Sequence, residues 1–307
     1  MSTTINILII IATIFGLWGG AHWVVESSSR IAKKLGMSEL VIGLTIVAFA
    51  TSAPEFAVTV SAAMEGKMAI SVGNVVGSNI FNLGIILGIV AIFGVVKTNS
   101  TILYRDASIL VGTGLLLSLF FYDLTLSLIE GIIMILLLMA YVIYLIRSKA
   151  EVDEEIPEGN FKWYHIIFLI VGVFVIIGSA HLLVLSASDI ARKFGISEWM
   201  IGITIVAAGT SIPELATSLV ALFRGKYGIS IGNLIGSDLF NMLGVLGTAS
   251  IIRPLTITQS DYYSLLILAG YLIFLFVFMR ISWRITKIEG VIIILIALFR
   301  WWIVTVV

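Results

Sequence analysis

The strongest constraint on the fold of this chain is an internal repeat, in which the sequence matches itself at an offset of 159 residues. Residues 21–83 align with residues 180–242 without a gap, and 33 of the 63 aligned pairs are identical. The same offset returns later, where Ile129-Glu130-Gly131 aligns with Ile288-Glu289-Gly290. A chain with two copies of one unit is expected to fold as two similar halves.

Both halves are too apolar for a soluble protein. Of the 307 residues, 60% are hydrophobic and only 12% are charged, which is more apolar surface than a soluble core of this size could bury. We therefore expect an integral membrane protein. The balance of 18 acidic and 18 basic residues gives no reason to expect a nucleic-acid partner, and the absence of cysteine excludes disulfides and thiolate metal sites.

Ten apolar segments are each long enough to cross a bilayer, which takes about 20 helical residues. They lie near residues 5–29, 39–64, 69–96, 101–122, 125–146, 163–188, 198–223, 228–252, 261–281 and 287–306. The first segment has no basic leader, so we expect a retained helix rather than a signal peptide. Each half holds five segments, an odd number, so the two copies are expected to insert with opposite orientations.

These segments predict the fold class and its division. We expect an all-α membrane protein with ten transmembrane helices in two inverted five-helix repeats, and with broken helices at an ion site. The first half covers residues 1–147, a cytoplasmic linker covers 148–162, and the second half covers 163–307. Thirteen of the loop Lys and Arg residues lie in odd-numbered loops and four in even-numbered loops. This excess predicts a multi-pass cell-membrane protein with cytoplasmic odd loops and both termini outside.

Each half contains a proline-glutamate pair inside an apolar segment. The two phrases are Ala50-Thr51-Ser52-Ala53-Pro54-Glu55 and Gly209-Thr210-Ser211-Ile212-Pro213-Glu214. A proline frees backbone carbonyls that a continuous helix would have used, and a carboxylate inside a membrane is costly. The alternative to an ion site is an ion pair with a buried base, but no Lys or Arg lies in the apolar part of either segment. A cation is therefore expected to neutralise Glu55 and Glu214.

A second repeated phrase follows each glutamate. The two copies are Gly73-Asn74-Val75-Val76-Gly77-Ser78-Asn79-Ile80-Phe81-Asn82 and Gly232-Asn233-Leu234-Ile235-Gly236-Ser237-Asp238-Leu239-Phe240-Asn241. Ser78 and Asn82 are four residues apart and share one helix face, which can point at the glutamates. The alternatives are that the glycines serve helix packing, and that the serines and asparagines make hydrogen bonds between helices.

Carboxylates combined with neutral oxygens make an all-oxygen site. Such a site suits Ca2+, Mg2+, Mn2+ or Na+ and argues against Zn2+ or Cu2+. His22 and His181 are related by the repeat and could be proton sensors. Polar packing is the favoured role for both histidines, because they lie more than a full segment away from the glutamates in sequence.

The paired phrases resemble the alpha repeats of the sodium/calcium exchanger family. The chain is most similar to the short prokaryotic members, which have ten helices and no cytoplasmic calcium-sensing domains, and the resemblance covers nearly the whole sequence. It implies a fold in which the second, third, seventh and eighth helices surround the ions. The first and sixth helices would then slide across this core.

The resemblance also implies a set of ligands. The calcium ligands would be Glu55 and Glu214 with the backbone carbonyls of Thr51 and Thr210. The sodium ligands would be Ser52, Ser78, Ser211, Ser237, the threonine hydroxyls and the carbonyls of Ala48 and Ala207. Asn82 and Asn241 would complete a ring at the midplane.

This sequence departs from the family pattern at three positions. Ala50 replaces the glycine that is usual before the first threonine, and Asp238 stands where the family usually has Asn. Asn241 stands where some members, including those that cotransport potassium, carry Asp. The amide removes one acid there and makes potassium dependence less expected.

The expected function is a secondary antiporter that exchanges Na+ for Ca2+ by alternating access. It would not be an enzyme and would need no cofactor. Its substrates would be the two ions, and it would lie in the lipid bilayer. We expect no nucleic-acid partner and no obligate protein partner. One alternative is an exchanger of H+ for Ca2+ or another divalent cation. Proton-coupled relatives resemble G-N-x-x-E at the phrase where this chain has a serine before x-P-E. Another alternative is a channel or ion sensor, which the inverted repeat disfavours.

Overall fold

The computed structural model describes residues 2–147, 160–196, 201, 204–205 and 207–306. Most of the expected linker and the beginning of the seventh apolar segment lie outside these ranges. The helices are α1 (Thr3–Leu35), α2 (Glu39–Thr51), α3 (Ala53–Met64), α4 (Met68–Phe93), α5 (Thr101–Asp123), α6 (Leu128–Arg147), α7 (Tyr164–Lys193), α8 (Ala207–Gly209), α9 (Ile212–Phe223), α10 (Tyr227–Ile252), α11 (Gln259–Ser282) and α12 (Lys287–Val306).

The lengths and composition of these helices confirm the membrane-protein prediction. Within the described ranges, seven helices are long and apolar enough to cross a bilayer, and the bent pair of α2 and α3 makes an eighth candidate. The first helix runs to Leu35, beyond the end expected from hydropathy, because Lys33 and Lys34 extend its last turn. Basic side chains are favourable at a helix C-terminus, and Gly36 then ends the helix with a φ of 65°.

Four short strands carry the repeat beyond the region of high sequence identity. Strand β1 (Val96–Lys97) pairs antiparallel with β4 (Arg284–Ile285), and β2 (Thr125–Leu126) pairs antiparallel with β3 (Leu255–Thr256). The offset of 159 residues relates β1 to β3 and β2 to β4. The sequence did not predict these strands, because two residues are too few to show the alternation of a strand.

The chain forms two compact units that differ from its two sequence halves. The first unit combines Met1–Pro54 with Leu145–Asn233, and the second combines Glu55–Tyr144 with Leu234–Val307. Each unit therefore contains parts of both repeats.

In the first unit, α1 packs along α7. A Cβ on Gly20 would lie 2.9 Å from the carbonyl oxygen of Gly172, and one on Gly172 would lie 2.8 Å from the carbonyl oxygen of Gly20. Helices α2 and α10 also approach closely, since a Cβ on Gly232 would lie 2.6 Å from the Leu40 carbonyl oxygen. The expected packing role of glycine is confirmed at Gly232, where a side chain would clash with backbone. It is wrong at Gly73 and Gly77, where an added Cβ would meet no atom of the described residues within 4 Å.

In the second unit, two glycine pairs bring helices of the two repeats together. A Cβ on Gly88 of α4 would lie 2.8 Å from the Gly290 carbonyl oxygen of α12. A Cβ on Gly131 of α6 would lie 2.8 Å from the Gly247 carbonyl oxygen of α10. The 159-residue offset converts one pair into the other, so the structure preserves the repeat in its close contacts.

Candidate cation-binding site

The first T-S-x-P-E phrase lies at a bend in the chain. Helices α2 and α3 meet at an angle of 50° around Ser52. The Ser52 amide donates to the Ala48 carbonyl at 3.0 Å, and Pro54 follows in the first turn of α3. Because proline has no N–H, the carbonyl four residues before it lacks the donor of a continuous helix.

The second phrase lies at an equivalent position, between α8 and α9. Ser211 precedes α9 with a φ of −92° and a ψ of 4°, and Pro213 occupies the first turn. The Ser211 amide donates to the Ala208 carbonyl at 3.1 Å. Helix α8 begins at Ala207, so the backbone of that expected ligand belongs to the short turn before the second phrase.

Glu214 is fully buried in the first unit, where it receives a hydrogen bond from the other repeat. The Ser52 hydroxyl donates to Glu214 Oε1 at 2.9 Å, and both residues have no exposed surface. A hydroxyl oxygen retains lone pairs after donating its proton. The carboxylate and the serine thus place oxygen atoms from both repeats beside one another.

Asn233 connects both phrases within the first unit. Its Nδ2 donates to the Glu214 carbonyl at 3.3 Å and to Ser218 Oγ at 3.0 Å. Its Oδ1 accepts from Thr51 Oγ1 at 3.0 Å. Thr51 Oγ1 also lies 3.3 Å from the Ala48 carbonyl, but a hydroxyl has one proton. The shorter bond to Asn233 therefore leaves one lone pair of the Ala48 carbonyl available to a cation.

Asn74 makes the equivalent contacts around Glu55 in the second unit. Glu55 is fully buried, and Asn74 Nδ2 donates to its backbone carbonyl at 3.4 Å and to Thr59 Oγ1 at 3.0 Å. The Ser71 hydroxyl donates to the Thr59 carbonyl at 3.0 Å, as Ser230 does to Ser218 at 2.8 Å. The helix that follows each glutamate therefore supplies an asparagine that bonds the glutamate carbonyl and a serine that bonds a carbonyl one turn further along.

Ser78, Ser237, Asn82 and Asn241 all belong to the second unit and are buried. The Ser78 hydroxyl donates to the Asn74 carbonyl at 2.8 Å, a bond within its own helix. Asn82 and Asn241 lie in π-helical stretches, Phe81–Ile86 and Phe240–Val245, which the repeat offset relates. Such stretches occur often at functional sites because they re-aim side chains, and nothing in the sequence pattern predicted them here.

Three of the uncharged expected ligands have buried side-chain oxygens without a hydrogen-bond partner among the described residues. They are Asn82 Oδ1, Asn241 Oδ1 and Thr210 Oγ1. A buried polar oxygen without a partner is costly unless a ligand satisfies it. These atoms therefore have the chemistry of ligands for a hard cation.

Six residues of the hydrogen-bonded network around the glutamates were given no role by the sequence analysis. They are Asn74, Ser71 and Thr59, and their counterparts Asn233, Ser230 and Ser218. The available signal was the repeat itself, because each pair keeps a polar side chain inside an apolar stretch.

Histidine does not contribute to this network. Of the two histidines for which polar packing was expected, His22 is half-buried and His181 is exposed. The described ranges contain no cluster of three or more His, Cys, Asp and Glu side chains.

The family model described as sodium/calcium exchanger protein matches residues 5–147 and 164–306 of this chain. The chain belongs to the sodium/calcium exchanger family. This exchanger is 34% identical to the putative antiporter CaxA of Alkalimonas amylolytica, over 94% of this chain and 95% of that protein. It is 31% identical to the sodium/calcium exchanger MaX1 of Methanosarcina acetivorans, with the same two coverages.

Solved structures lead to the same family. The exchanger superposes on the sodium-calcium exchanger NCX_Mj soaked with zero Na+ and Ca2+ with a TM-score of 0.85. The two chains are 27% identical over 97% of this exchanger and 98% of NCX_Mj. The family membership predicted from the two phrases is thereby confirmed.

Proposed function

We propose that this exchanger is a secondary antiporter that moves Ca2+ in one direction and Na+ in the other by alternating access. The observation that carries the proposal is the hydrogen bond from Ser52 to Glu214. It supports a site in which a hydroxyl suited to Na+ and a carboxylate needed by Ca2+ are neighbours. Both ions would then need the same two glutamates, Glu55 and Glu214, so the site holds either Ca2+ or Na+, and this competition couples their movements in opposite directions.

The proposed ligands follow the expected set. Ca2+ is bound by Glu55 and Glu214 with the carbonyls of Thr51 and Thr210. Na+ is bound by oxygens from Ser52, Ser78, Ser211, Ser237, the two threonine hydroxyls, and the carbonyls of Ala48 and Ala207. Asn82 and Asn241 complete the set through their amide oxygens. The partnerless oxygens of Thr210, Asn82 and Asn241 support their inclusion.

We further propose the topology that makes alternation possible. Ten helices cross the cell membrane in two inverted halves, residues 1–147 and 163–307, with a cytoplasmic linker and both termini outside. The match of one family model to both halves supports this division, and the excess of basic residues in the odd loops supports the orientation.

The competing candidate is an exchanger of H+ for Ca2+ or another divalent cation, in which the glutamates carry protons. The buried hydroxyls of Ser52 and Ser211 favour Na+, because a proton carrier needs no additional oxygen ligands. Calcium-45 uptake into proteoliposomes separates the two, with Na+, K+ or pH gradients imposed one at a time. We expect uptake with the Na+ gradient alone; uptake driven by the pH gradient without Na+ would overturn the proposal.

A further inference from the structure

Asp238 is a further buried carboxylate, and the proposed ligand set does not use it. It lies in the second unit and has no exposed surface. Its counterpart in the first repeat is Asn79, which is also fully buried. Both residues immediately follow a serine of the proposed set and precede the proposed amide ligands by three residues.

The Asp238 side chain fixes the orientation of the Asn82 amide. Asn82 Nδ2 donates to Asp238 Oδ1 at 3.0 Å. The two ends of an amide are nearly identical in shape, so its orientation depends on its partners. A carboxylate oxygen that accepts this bond requires a donor opposite it, so the nitrogen end of the amide faces Asp238. The oxygen end of Asn82 is then the one left for another partner.

The backbone of Asp238 fixes the other amide through Asn79. Asn79 Nδ2 donates to the Asp238 carbonyl at 3.3 Å. This bond leaves Asn79 Oδ1 to accept, and Asn241 Nδ2 donates to it at 3.2 Å. The nitrogen end of Asn241 is thereby occupied, and its oxygen end is left for another partner.

Both oxygens selected in this way are buried and have no hydrogen-bond partner in the described part of the chain. If either amide were reversed, an NH2 group would replace the oxygen, and a cation would meet a donor instead of a ligand. We propose that Asp238 and Asn79 are positioning residues that hold the oxygens of Asn82 and Asn241 ready for the transported cation. This inference rests on the proposed function, because it assigns no ion of its own.

The inference makes the two members of the pair separable by mutation. Asp238→Ala removes the acceptor of Asn82 but keeps the backbone carbonyl that holds Asn79. Asn79→Ala removes the acceptor of Asn241 without changing any charge. Asp238→Asn keeps an acceptor oxygen in the arrangement that the first repeat already uses at Asn79. Ser118→Ala is a matched control, because it removes a buried hydroxyl that donates to the Gly114 carbonyl at 2.9 Å elsewhere in this unit.

The test is calorimetric titration of CaCl2 into the purified, Na+-free protein, together with the melting temperature in the absence of ions. We expect Asp238→Ala and Asn79→Ala each to raise the Kd for Ca2+ about tenfold or more, as is usual when the partner that orients a metal ligand is lost. Asp238→Asn should recover most of the affinity lost in Asp238→Ala. Ser118→Ala should bind Ca2+ like the unmodified protein.

Two results would overturn the inference while leaving the proposed function standing. One is unchanged Ca2+ affinity in Asp238→Ala or Asn79→Ala. The other is an Asp238→Asn protein as impaired as Asp238→Ala, which would mean that charge rather than an acceptor is needed. If Asp238→Ala does not fold, Asn79→Ala is compared with Asp238→Asn. We then expect weak Ca2+ binding by Asn79→Ala and near-normal Ca2+ binding by Asp238→Asn. The reverse order would contradict the inference. Failure of the unmodified protein to bind Ca2+ would instead remove the proposed function.

Discussion

Glu55 and Glu214 occupy fully buried positions at the start of α3 and α9. Two carboxylates in a medium of low dielectric constant are costly in the absence of counter-charge, and the cost falls when a divalent cation is bound. Their burial therefore makes charge, rather than shape, the property on which the proposed transport depends. Substitutions that keep shape and remove charge test this dependence directly.

Glu214→Gln and Glu55→Gln should each reduce calcium-45 exchange to the background of empty liposomes, because each halves the charge offered to Ca2+. The melting temperature without ions should not fall, since a neutral amide is easier to bury. Glu65→Gln is the control, because Glu65 is an exposed carboxylate outside the site. Its Oε2 lies 2.7 Å from Lys67 Nζ. The hydrogen bond from Lys67 lowers the pKa of Glu65 and so favours its charged form. Normal exchange by either buried-site variant would remove that residue from the ligand set.

Ser52→Ala should weaken the binding of Na+ more than the binding of Ca2+, because the hydroxyl is proposed as a sodium ligand. Loss of one buried oxygen contact costs on the order of 1 to 3 kcal/mol, which corresponds to a rise of roughly 5- to 150-fold in the Na+ concentration needed for half-maximal exchange. The same direction is expected for Ser211, Ser78 and Ser237. Ser118→Ala again serves as the control. If all four serine variants bound Na+ and Ca2+ equally more weakly, separate sodium and calcium sites would be contradicted.

At the scale of helices, the phrases around each glutamate are held by side chains from the following helix. Asn74 and Asn233 each donate to a glutamate carbonyl and to a hydroxyl four residues further along. These bonds support a first turn in which proline has removed a backbone donor. The asparagines therefore set the position of the carboxylates without contributing an atom to the proposed ligand set.

Asn233→Ala should be the more destabilising of the two asparagine substitutions. Asn233 Oδ1 also accepts a hydrogen bond from the Thr51 hydroxyl, whereas Asn74 has no such additional bond among its described contacts. One further lost hydrogen bond is worth about 1 kcal/mol, so Asn233→Ala should melt at a lower temperature than Asn74→Ala. Equal melting temperatures, or the reverse order, measured by scanning fluorimetry would show that this contact does not stabilise the fold.

The helices and the glutamates could be predicted from sequence, whereas the contacts between them could not. Apolar length locates the helices, and a carboxylate in such a segment, as at Glu55, is informative without a structure. The bond from Asn82 to Asp238 joins residues 156 positions apart, and no local pattern encodes such a distance. The π-helical turn at Phe81 and the two-residue strands are likewise set by tertiary packing.

For the molecule as a whole, the proposed inversion of the two repeats would relate one side of the membrane to the other. Helices α1 and α7 correspond to each other under the 159-residue offset and pack together through Gly20 and Gly172. A contact made of small residues brings the two helices close together without interdigitated large side chains, so the helices can slide past one another. These two helices are therefore the proposed gates, because neither carries one of the two proline-glutamate pairs.

Single cysteines along α1 and α7 should change their labelling by a small membrane-permeant thiol reagent when Na+ replaces Ca2+. The chain contains no cysteine of its own, so each introduced thiol reports alone. Phe15 and Phe174 are an exposed pair of equivalent positions on α1 and α7, and Ile132 and Val291 are an equivalent exposed pair on α6 and α12 for comparison. Ion-dependent labelling of α6 and α12 but not of α1 and α7 would contradict the proposed gates.

Exchange as proposed requires that Na+ and Ca2+ use the same glutamates and therefore exclude one another. Equilibrium binding of calcium-45 to the purified protein, measured over a range of Na+ concentrations with choline replacing Na+, tests it most directly. We expect Na+ to displace bound Ca2+ completely and more steeply than one ion for one. We also expect Glu214→Gln to abolish Ca2+ binding at every Na+ concentration. Calcium binding that persists at saturating Na+ would contradict the claim.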